Sequence, residues 1–150
     1  MKKPESRDLV VNRKARFDYE LLDRFEAGIS LLGSEVKSIR GGQANLAEAF
    51  IFLKKGEAWL NQCHISPYLE ANQFNHEPQR PRRLLLQRPE LLKLQRGTLQ
   101  KGMTVVPVRL YLKGHLIKLE IALARGKNVR DKRQTIKERE AKRRVRNDYG

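Results

Sequence analysis

The stretch TVVPVRLYLKGHLIKLEIALA, residues 104–124, decides the fold class of this chain. Two runs within it, 104–112 and 116–124, are rich in β-branched and other apolar residues and are joined by Lys-Gly-His. In the second run the apolar residues at 117, 119, 121 and 123 alternate with Lys118 and Glu120, which is the period of a strand with one buried face. The stretch therefore predicts two strands, the second with its apolar positions turned inward.

Residues upstream predict further strands. Apolar and polar residues alternate over 25–32, which indicates a strand with one mostly polar face. Two β-rich runs, 47–53 and 58–65, flank the turn sequence Lys-Lys-Gly-Glu at 54–57, where glycine permits a left-handed backbone. These two runs predict a hairpin.

Short helices and a loop lie between the strands. Ser34 can cap a helix of one or two turns that ends at Gly41, and Pro89 can open a second helix that stops at Gly97. Residues 67–89 hold four prolines and the arginines at 80, 82, 83 and 88. We therefore predict an exposed basic loop there, interrupted by the three leucines at 84–86.

Together these elements predict a mainly β protein with short helices, of the α+β class. About five antiparallel strands fit a small OB-like β-barrel, because closure removes the exposed edges of a short sheet. We expect a flexible leader over 1–8, the OB-like barrel over 9–125 and a basic C-terminal tail over 126–150.

The end of the chain is its most basic part. Residues 125–150 contain eleven Lys and Arg against four Asp and Glu, a net charge of +7. Residues 132–146 are rich in helix formers, but their apolar residues are too few and too dispersed to form an apolar face. We therefore predict a tail that is disordered alone and becomes helical against a polyanion such as RNA.

The overall charge indicates a polyanionic partner. Thirty-two Lys and Arg against seventeen Asp and Glu leave +15 on 150 residues, and such a surface attracts nucleic acid. An anionic membrane face and a simple solubilising excess are the alternatives. Because there is no apolar run of a signal or a membrane span and Cys63 is the only cysteine, we expect a cytoplasmic protein without a membrane partner or a disulfide.

Residue patterns for catalysis are missing from the sequence. The histidines at 64, 76 and 115 and the single cysteine lack the spacing of a zinc site. No nucleophile elbow, phosphate-binding loop or dinucleotide-binding turn occurs. We therefore expect no catalytic residues, no metal and no cofactor, and a protein that binds RNA rather than an enzyme.

Cations interleave with aromatic residues near the N-terminus. Asn12, Arg13, Lys14 and Arg16 precede or surround aromatic positions 17 and 19, and this mixture suits phosphates and stacked bases. The aromatic residues fit the core equally well, so the segment is a candidate for RNA contact with both interpretations open.

Several short motifs follow one another in a fixed order along the chain. They are NRKAR at 12–16, FEAG at 25–28, GSEVKSIR at 33–40, LLL at 84–86, GK at 126–127, DKR at 131–133 and IKERE at 136–140. In this order they resemble the small protein B family, the SsrA-binding proteins of bacteria, from about residue 10 to 140. The resemblance implies an OB-like barrel, a tail that is unstructured in isolation, and no enzymatic activity.

Members of that family bind transfer-messenger RNA and deliver it to ribosomes stalled on messages without a stop codon. The RNA arrives charged with alanine and carried by elongation factor Tu. The resemblance implies that the barrel stands in for the missing anticodon arm near the small-subunit decoding centre and that the tail enters the empty mRNA channel. The incomplete protein is then tagged for degradation.

The resemblance also implies roles for individual residues. Glu26, Leu85, Gln87 and Lys118 match residues of the surface that binds transfer-messenger RNA, although other members often have Asn or His in place of Gln87. The residues implied to contact the ribosome are Phe17, Gly126, Lys127, Asp131, Lys132, Arg133 and Ile136. Many members have His at position 17 and a second lysine at position 128, so these two positions depart from the pattern.

Two other classes of protein share part of this description. A structural component of the ribosome would also be small, basic and tailed. An RNA-modifying or RNA-cleaving enzyme would need a catalytic constellation that the sequence does not contain.

Overall fold

The computed structural model describes residues 6–68 and 75–127, which fold mainly into antiparallel strands. The elements in chain order are β1 (Ser6–Val11), α1 (Arg13–Asp18), β2 (Tyr19–Ile29), α2 (Gly33–Arg40), β3 (Ala44–Asn45), β4 (Phe50–Lys54), β5 (Glu57–Asn61), β6 (His64–Ile65), β7 (Arg82–Leu85), α3 (Arg88–Gly97), β8 (Met103–Lys113) and β9 (Leu116–Gly126). Seven strands form one sheet in the order β1-β8-β9-β2-β7-β5-β4, and β3 pairs with β6 separately. The predicted class, mainly β with short helices, is confirmed.

Both predicted strand pairs form hairpins at turns that need a left-handed backbone. Lys55 and Gly56, between β4 and β5, have φ angles of 50° and 73°, and Gly114, between β8 and β9, has a φ of 62°. Two left-handed residues in succession match the right-handed twist of the flanking strands. The hairpin predicted around residues 54–57 and the strand pair predicted within 104–124 are confirmed.

The sheet begins earlier than predicted. β1 starts at Ser6, so the leader predicted over 1–8 is too long, and residues 1–5 lie outside the described part of the chain. β2 starts at Tyr19, six residues before the predicted strand at 25. The ladder between β2 and β9 shifts register between Leu21 and Arg24, and this irregularity interrupts the alternation by which a strand is recognised.

Closure of the sheet into an OB-like barrel is not confirmed. The sheet curls so that β4 lies against β8, although four strands separate the two in the hydrogen-bonded order. Across residues 6–68 and 75–127 no ladder joins the edge strands β1 and β4. The described residues therefore form a strongly curved open sheet.

α2 buries polar residues along with its apolar ones. Leu32, rather than the predicted Ser34, is the N-cap, and its backbone N–H donates to Glu35 Oε1 at 2.8 Å. Ser34, Glu35, Ser38 and Ile39 are the buried residues of the helix. The face that α2 turns toward the core thus carries a carboxylate.

Glu35 forms a buried ion pair with Arg82 of β7, and neither side chain has exposed surface. Arg82 Nε donates to Glu35 Oε2 at 2.6 Å, and Arg82 Nη1 donates to the carbonyl of Cys63 at 2.6 Å. Arg80 Nε donates to the same carboxylate at 3.1 Å. Burial by itself would raise the pKa of the Glu35 carboxyl, but the hydrogen bonds from Arg80, from the Leu32 N–H and from Arg82 hold that pKa below its ordinary value of 4.5.

The exposed basic loop predicted over 67–89 is therefore wrong in its C-terminal part. Arg82 and Leu84 are buried and Arg83 and Leu85 are exposed, as in any strand with one inner face. Charge and proline content suggested solvation, but the carboxylate that compensates Arg82 lies 47 positions away. Residues 69–74 of the predicted loop lie outside the described part of the chain.

Replacing Arg82 should destabilise the fold strongly. Arg82→Met leaves the Glu35 carboxylate buried with Arg80 as its remaining cation, so we expect a loss of about 3–5 kcal/mol in the free energy of unfolding. Urea denaturation followed by circular dichroism measures this loss. Arg83→Met, one residue along the same strand but exposed, is the matched control and should cost less than about 0.5 kcal/mol. Equal losses in the two variants would contradict a stabilising role for the pair.

Candidate nucleic-acid interface

A cavity of about 570 Å³ opens where β2, β7 and β9 meet the start of α3. Four residues that the resemblance implies for RNA binding line it: Glu26, Leu85, Gln87 and Lys118. The sheet brings them together because Gly28 of β2 lies opposite both Leu85 of β7 and Lys118 of β9. Residues separated by up to 92 positions in the sequence thus share one surface.

The absence of a side chain at Gly28 leaves room for Leu85 in the wall of the cavity. A Cβ at position 28 would lie 3.1 Å from Leu85 Cβ, so a side chain there would push Leu85 away. Leu85 keeps 57% of its surface exposed. An exposed apolar side chain that lies beside polar groups can pack against the face of a base. The sequence signal for this packing is the glycine within a strand, where another backbone or side chain approaches closely.

Gln87 occupies the N-cap of α3 and faces solvent. Its backbone N–H donates to Glu90 Oε1 at 3.2 Å, and Pro89 follows in the first turn as predicted. The predicted helix from Pro89 to Gly97 is confirmed. The amide of Gln87 can donate and accept at the rim of the cavity.

Side chains of β8 compensate the negative charge of Glu26, which would otherwise repel a second carboxylate across the ladder. In the ladder Glu26 lies opposite Glu120, and two carboxylates at such positions destabilise a sheet. Lys113 Nζ lies 3.1 and 3.3 Å from the two Glu26 oxygens. Burial raises the pKa of the Tyr111 hydroxyl, and Tyr111 lies close enough for the negative charge of Glu26 to raise that pKa further. The carboxylate is thus oriented at the cavity while it remains partly exposed.

Glu120 is neutralised by two arginines. Arg24 Nη1 lies 2.9 Å from one of its oxygens, and Arg109 Nε lies 3.1 Å from the other. Arg109 also contacts Asp8 of β1 and lies over the Tyr111 ring at 4.1 Å from its centroid. Arg109 therefore links three strands, a role that a single sequence does not reveal because Asp8 lies 101 positions away.

The basic segment near the N-terminus forms a separate surface. α1 packs Ala15 against Val106 and Ala122, and its residues are absent from the lining of the cavity. Leu21, beside α1, is seven residues from Gly28 along β2, a distance of about 23 Å for an extended strand. Arg13, Lys14 and Arg16 are exposed on α1, and Lys14 Nζ lies 3.4 Å from Glu48.

Asn12, one of the residues predicted to contact RNA, has a structural role in the fold. It is only 5% exposed. Its Oδ1 accepts a hydrogen bond from the Ala15 N–H at 3.2 Å, and its Nδ2 donates to the Pro107 carbonyl at 2.8 Å. The side chain thus caps α1 and ties the helix to β8, and both ends of its amide are already used.

The described residues implied for ribosome contact lie together at this second surface. The Lys127 N–H donates to the Asp18 carbonyl at 3.0 Å, directly after Phe17, and Gly126 lies opposite Tyr19 in the ladder between β2 and β9. Asp131, Lys132, Arg133 and Ile136 lie outside the described residues, as does most of the predicted tail.

Groups that can perform chemistry in enzymes are used for packing in this fold. Burial raises the pKa of the Cys63 thiol to about 11, so the thiolate is scarce at neutral pH. His76 is buried between the Ser34 hydroxyl and the Ile65 carbonyl, each at 2.8 Å from a ring nitrogen. Within the described ranges no three His, Cys, Asp or Glu residues are grouped to hold a metal ion, and no helix there has the length and apolar character to cross a membrane.

Comparisons with known proteins identify one family over most of the chain. The family model described as SmpB protein matches residues 9–149. An SsrA-binding protein of Carboxydothermus hydrogenoformans is 50% identical over 137 residues, which are 91% of this chain and 92% of that protein. An SsrA-binding protein of Synechococcus sp. (strain JA-3-3Ab) is 52% identical over 143 residues, 95% and 93% of the two chains. A chain of the solved structure described as "tmRNA-SmpB: a journey to the center of the bacterial ribosome" is 42% identical, with a TM-score of 0.67 over 79% of this chain and 84% of that one.

The ionisation of Tyr111 should report the position of Glu26. Burial, and after it the negative charge of Glu26, raises the pKa of Tyr111 to about 12. Glu26→Gln removes that charge, so we expect a lower Tyr111 pKa while burial keeps it above 10. NMR titration of the labelled tyrosine ring measures the change. Glu90→Gln, across the cavity, is the control, and an equal shift in both variants would contradict the contact.

Proposed function

The chain belongs to the SmpB family, and on that premise we propose that it binds transfer-messenger RNA, the SsrA RNA, and acts with it in trans-translation. The family consists of RNA-binding factors rather than known enzymes. The observation that carries the proposal is the cavity at which Glu26, Leu85, Gln87 and Lys118 converge.

The cavity offers the three kinds of contact that folded RNA requires. Lys118 supplies a cation for a phosphate, and Leu85 supplies an exposed apolar surface for a base or ribose. Glu26 can only accept hydrogen bonds, so it favours the amino groups on base edges over phosphates. The site thus combines general attraction with recognition of particular bases. Gln87 supplies both a donor and an acceptor, as Asn would at the same position.

We assign two tasks to two surfaces of the chain. The curved sheet with the cavity acts as the OB-like RNA-binding body and stands in for the anticodon arm. The surface at α1 and Gly126, with the basic tail over 126–150, faces the small-subunit decoding centre and the empty mRNA channel. The separation of about 23 Å along β2 supports this division, since the cavity and α1 are too far apart to serve one contact.

The tail suits a channel walled by RNA because of its charge. Its ten basic residues over 126–150 would be neutralised by phosphates, and we propose that the tail becomes helical only there. Elongation factor Tu would take part indirectly, through the alanine-charged RNA. The stalled ribosome would then be released in the bacterial cytoplasm and its nascent chain tagged for degradation.

Glu26→Ala should weaken the binding of transfer-messenger RNA by about tenfold, because hydrogen bonds to a charged group contribute about 1.5–3 kcal/mol. Titration of labelled RNA with the full chain, followed by fluorescence anisotropy, measures the dissociation constant. Glu20→Ala is the matched control, an exposed glutamate at the other end of the same strand. Unchanged affinity in Glu26→Ala, with Lys118→Ala also silent, would exclude the cavity as the RNA site.

Removal of the tail should separate RNA binding from tagging. A chain that ends after Lys127 keeps β9 and the Lys127 hydrogen bond to Asp18, so we expect its affinity for transfer-messenger RNA to fall by less than about tenfold while tagging is abolished. Tag addition in a reconstituted translation reaction on a message without a stop codon measures the second effect. Parallel loss of binding and tagging would refute the two-surface assignment.

A further inference from the structure

The outer face of β4, β5 and β7 carries a row of aromatic residues that do not line the cavity. Phe50 and Phe52 of β4 alternate with buried Ile51 and are 42% and 46% exposed. In the ladders Phe52 lies opposite Trp59 of β5, and Trp59 lies opposite Arg83 of β7. We call Phe50, Phe52, Trp59 and Arg83 the aromatic face.

The aromatic face does not belong to the hydrophobic core. Core residues of β4 and β5 point inward from the intervening positions, as Ile51, Ala58 and Leu60 do. Two adjacent exposed phenylalanines on an edge strand are a liability for solubility unless a ligand covers them. Their exposure therefore needs a reason outside the fold of the described residues.

The aromatic face is held in place and is surrounded by positive charge. Trp59 Nε1 donates to Glu57 Oε2 at 3.2 Å, and Arg83 Nη2 lies 3.5 Å from Glu57 Oε1. One carboxylate thus orients both the indole and the guanidinium. Lys54 and Lys55 join Glu57 and Trp59 around a cleft of about 310 Å³. The cations outnumber the single acid at this end of the sheet.

We propose that the aromatic face binds unpaired nucleotides of RNA by stacking their bases on Phe52 and Trp59, with Lys54, Lys55 and Arg83 at the phosphates. Aromatic side chains beside cations on the face of a sheet are a general means of holding single-stranded RNA. The inference extends the proposed function, because Glu57 and Arg83 also line the cavity, so that RNA leaving the cavity passes directly onto the aromatic face.

The charge of the chain favours RNA over a second copy of the protein. Pairing of two β4 edges would bring together two chains of formal charge +15, with Lys54 and Lys55 close to the contact. Repulsion between such surfaces opposes association, whereas a polyanion is attracted to them. Self-association is therefore the competing outcome in the test.

Trp59 is the single tryptophan of the chain, so its fluorescence reports this face alone. Titration of the full chain with a short single-stranded oligoadenylate, and separately with transfer-messenger RNA, should quench Trp59 emission as bases stack on the indole. Phe52→Leu keeps an apolar strand residue but removes the stacking partner. We expect it to weaken the oligoadenylate affinity measured by Trp59 quenching by about tenfold. Phe50→Leu provides a second variant, and Leu99→Ala, an exposed apolar residue elsewhere, is the control.

The outcomes separate this inference from the proposed function. Normal quenching by oligoadenylate together with an unchanged transfer-messenger RNA affinity in Glu26→Ala would count against the cavity and leave the aromatic face supported. Saturation with either RNA, established by anisotropy of the labelled RNA, without any change in Trp59 emission would overturn the inference. It would also be overturned if Phe52→Leu matched the parent chain in quenching but removed a dimer detected by sedimentation velocity.

Discussion

The ion pair between Glu35 and Arg82 fixes the position of β7, and the candidate RNA site depends on β7. The strand reads Arg-Arg-Leu-Leu, so either of its two faces would bury one arginine and one leucine. The apolar pattern is the same in both registers, so it does not determine which face is buried. A slip of one residue would exchange the two faces. The buried carboxylate of Glu35 determines the register, because Arg82 forms an ion pair with it when Leu84 is buried. With that register Leu85 turns outward over Gly28 and the cavity forms.

The electrostatic design of the molecule has two levels. The net charge of +15 attracts RNA from a distance, without regard to sequence. At short range, the carboxylate oxygens of Glu26 and Glu57 accept hydrogen bonds from neighbouring side chains. Lys113 orients Glu26, and Arg83 orients Glu57. A carboxylate on an otherwise basic surface repels phosphates, so these positions can discriminate between base edges and backbone.

Local patterns in the sequence predicted the elements whose causes are local. The period-two run ending near Ala124, the turn at Lys55 and Gly56, and the helix opened by Pro89 all appear as predicted. The predictions failed where the deciding contact is distant. Arg82 looked solvated because its partner is in another segment, and the start of β2 was hidden by a register shift.

The candidate site shows the same limit. Glu26, Leu85, Gln87 and Lys118 were selected through resemblance to a family and not from periodicity, and only the sheet register explains why they share one cavity. Asn12 was predicted to contact RNA from its charged neighbours, and nothing in the sequence indicated its structural hydrogen bonds to Ala15 and Pro107. The exposure of Phe50 and Phe52 could not be predicted from the sequence, because β4 has the residue pattern of an ordinary hairpin strand. In the same sheet, β9 lies between β8 and β2, so the long ladder of β2 forms only after β9, the last strand of the described residues, has been synthesised. A copy of this protein cut short by a damaged message before residue 116 would leave β2 paired with β7 alone and the cavity without Lys118. Such a copy would therefore present an incomplete cavity, with Glu26, Leu85 and Gln87 but no cation from β9.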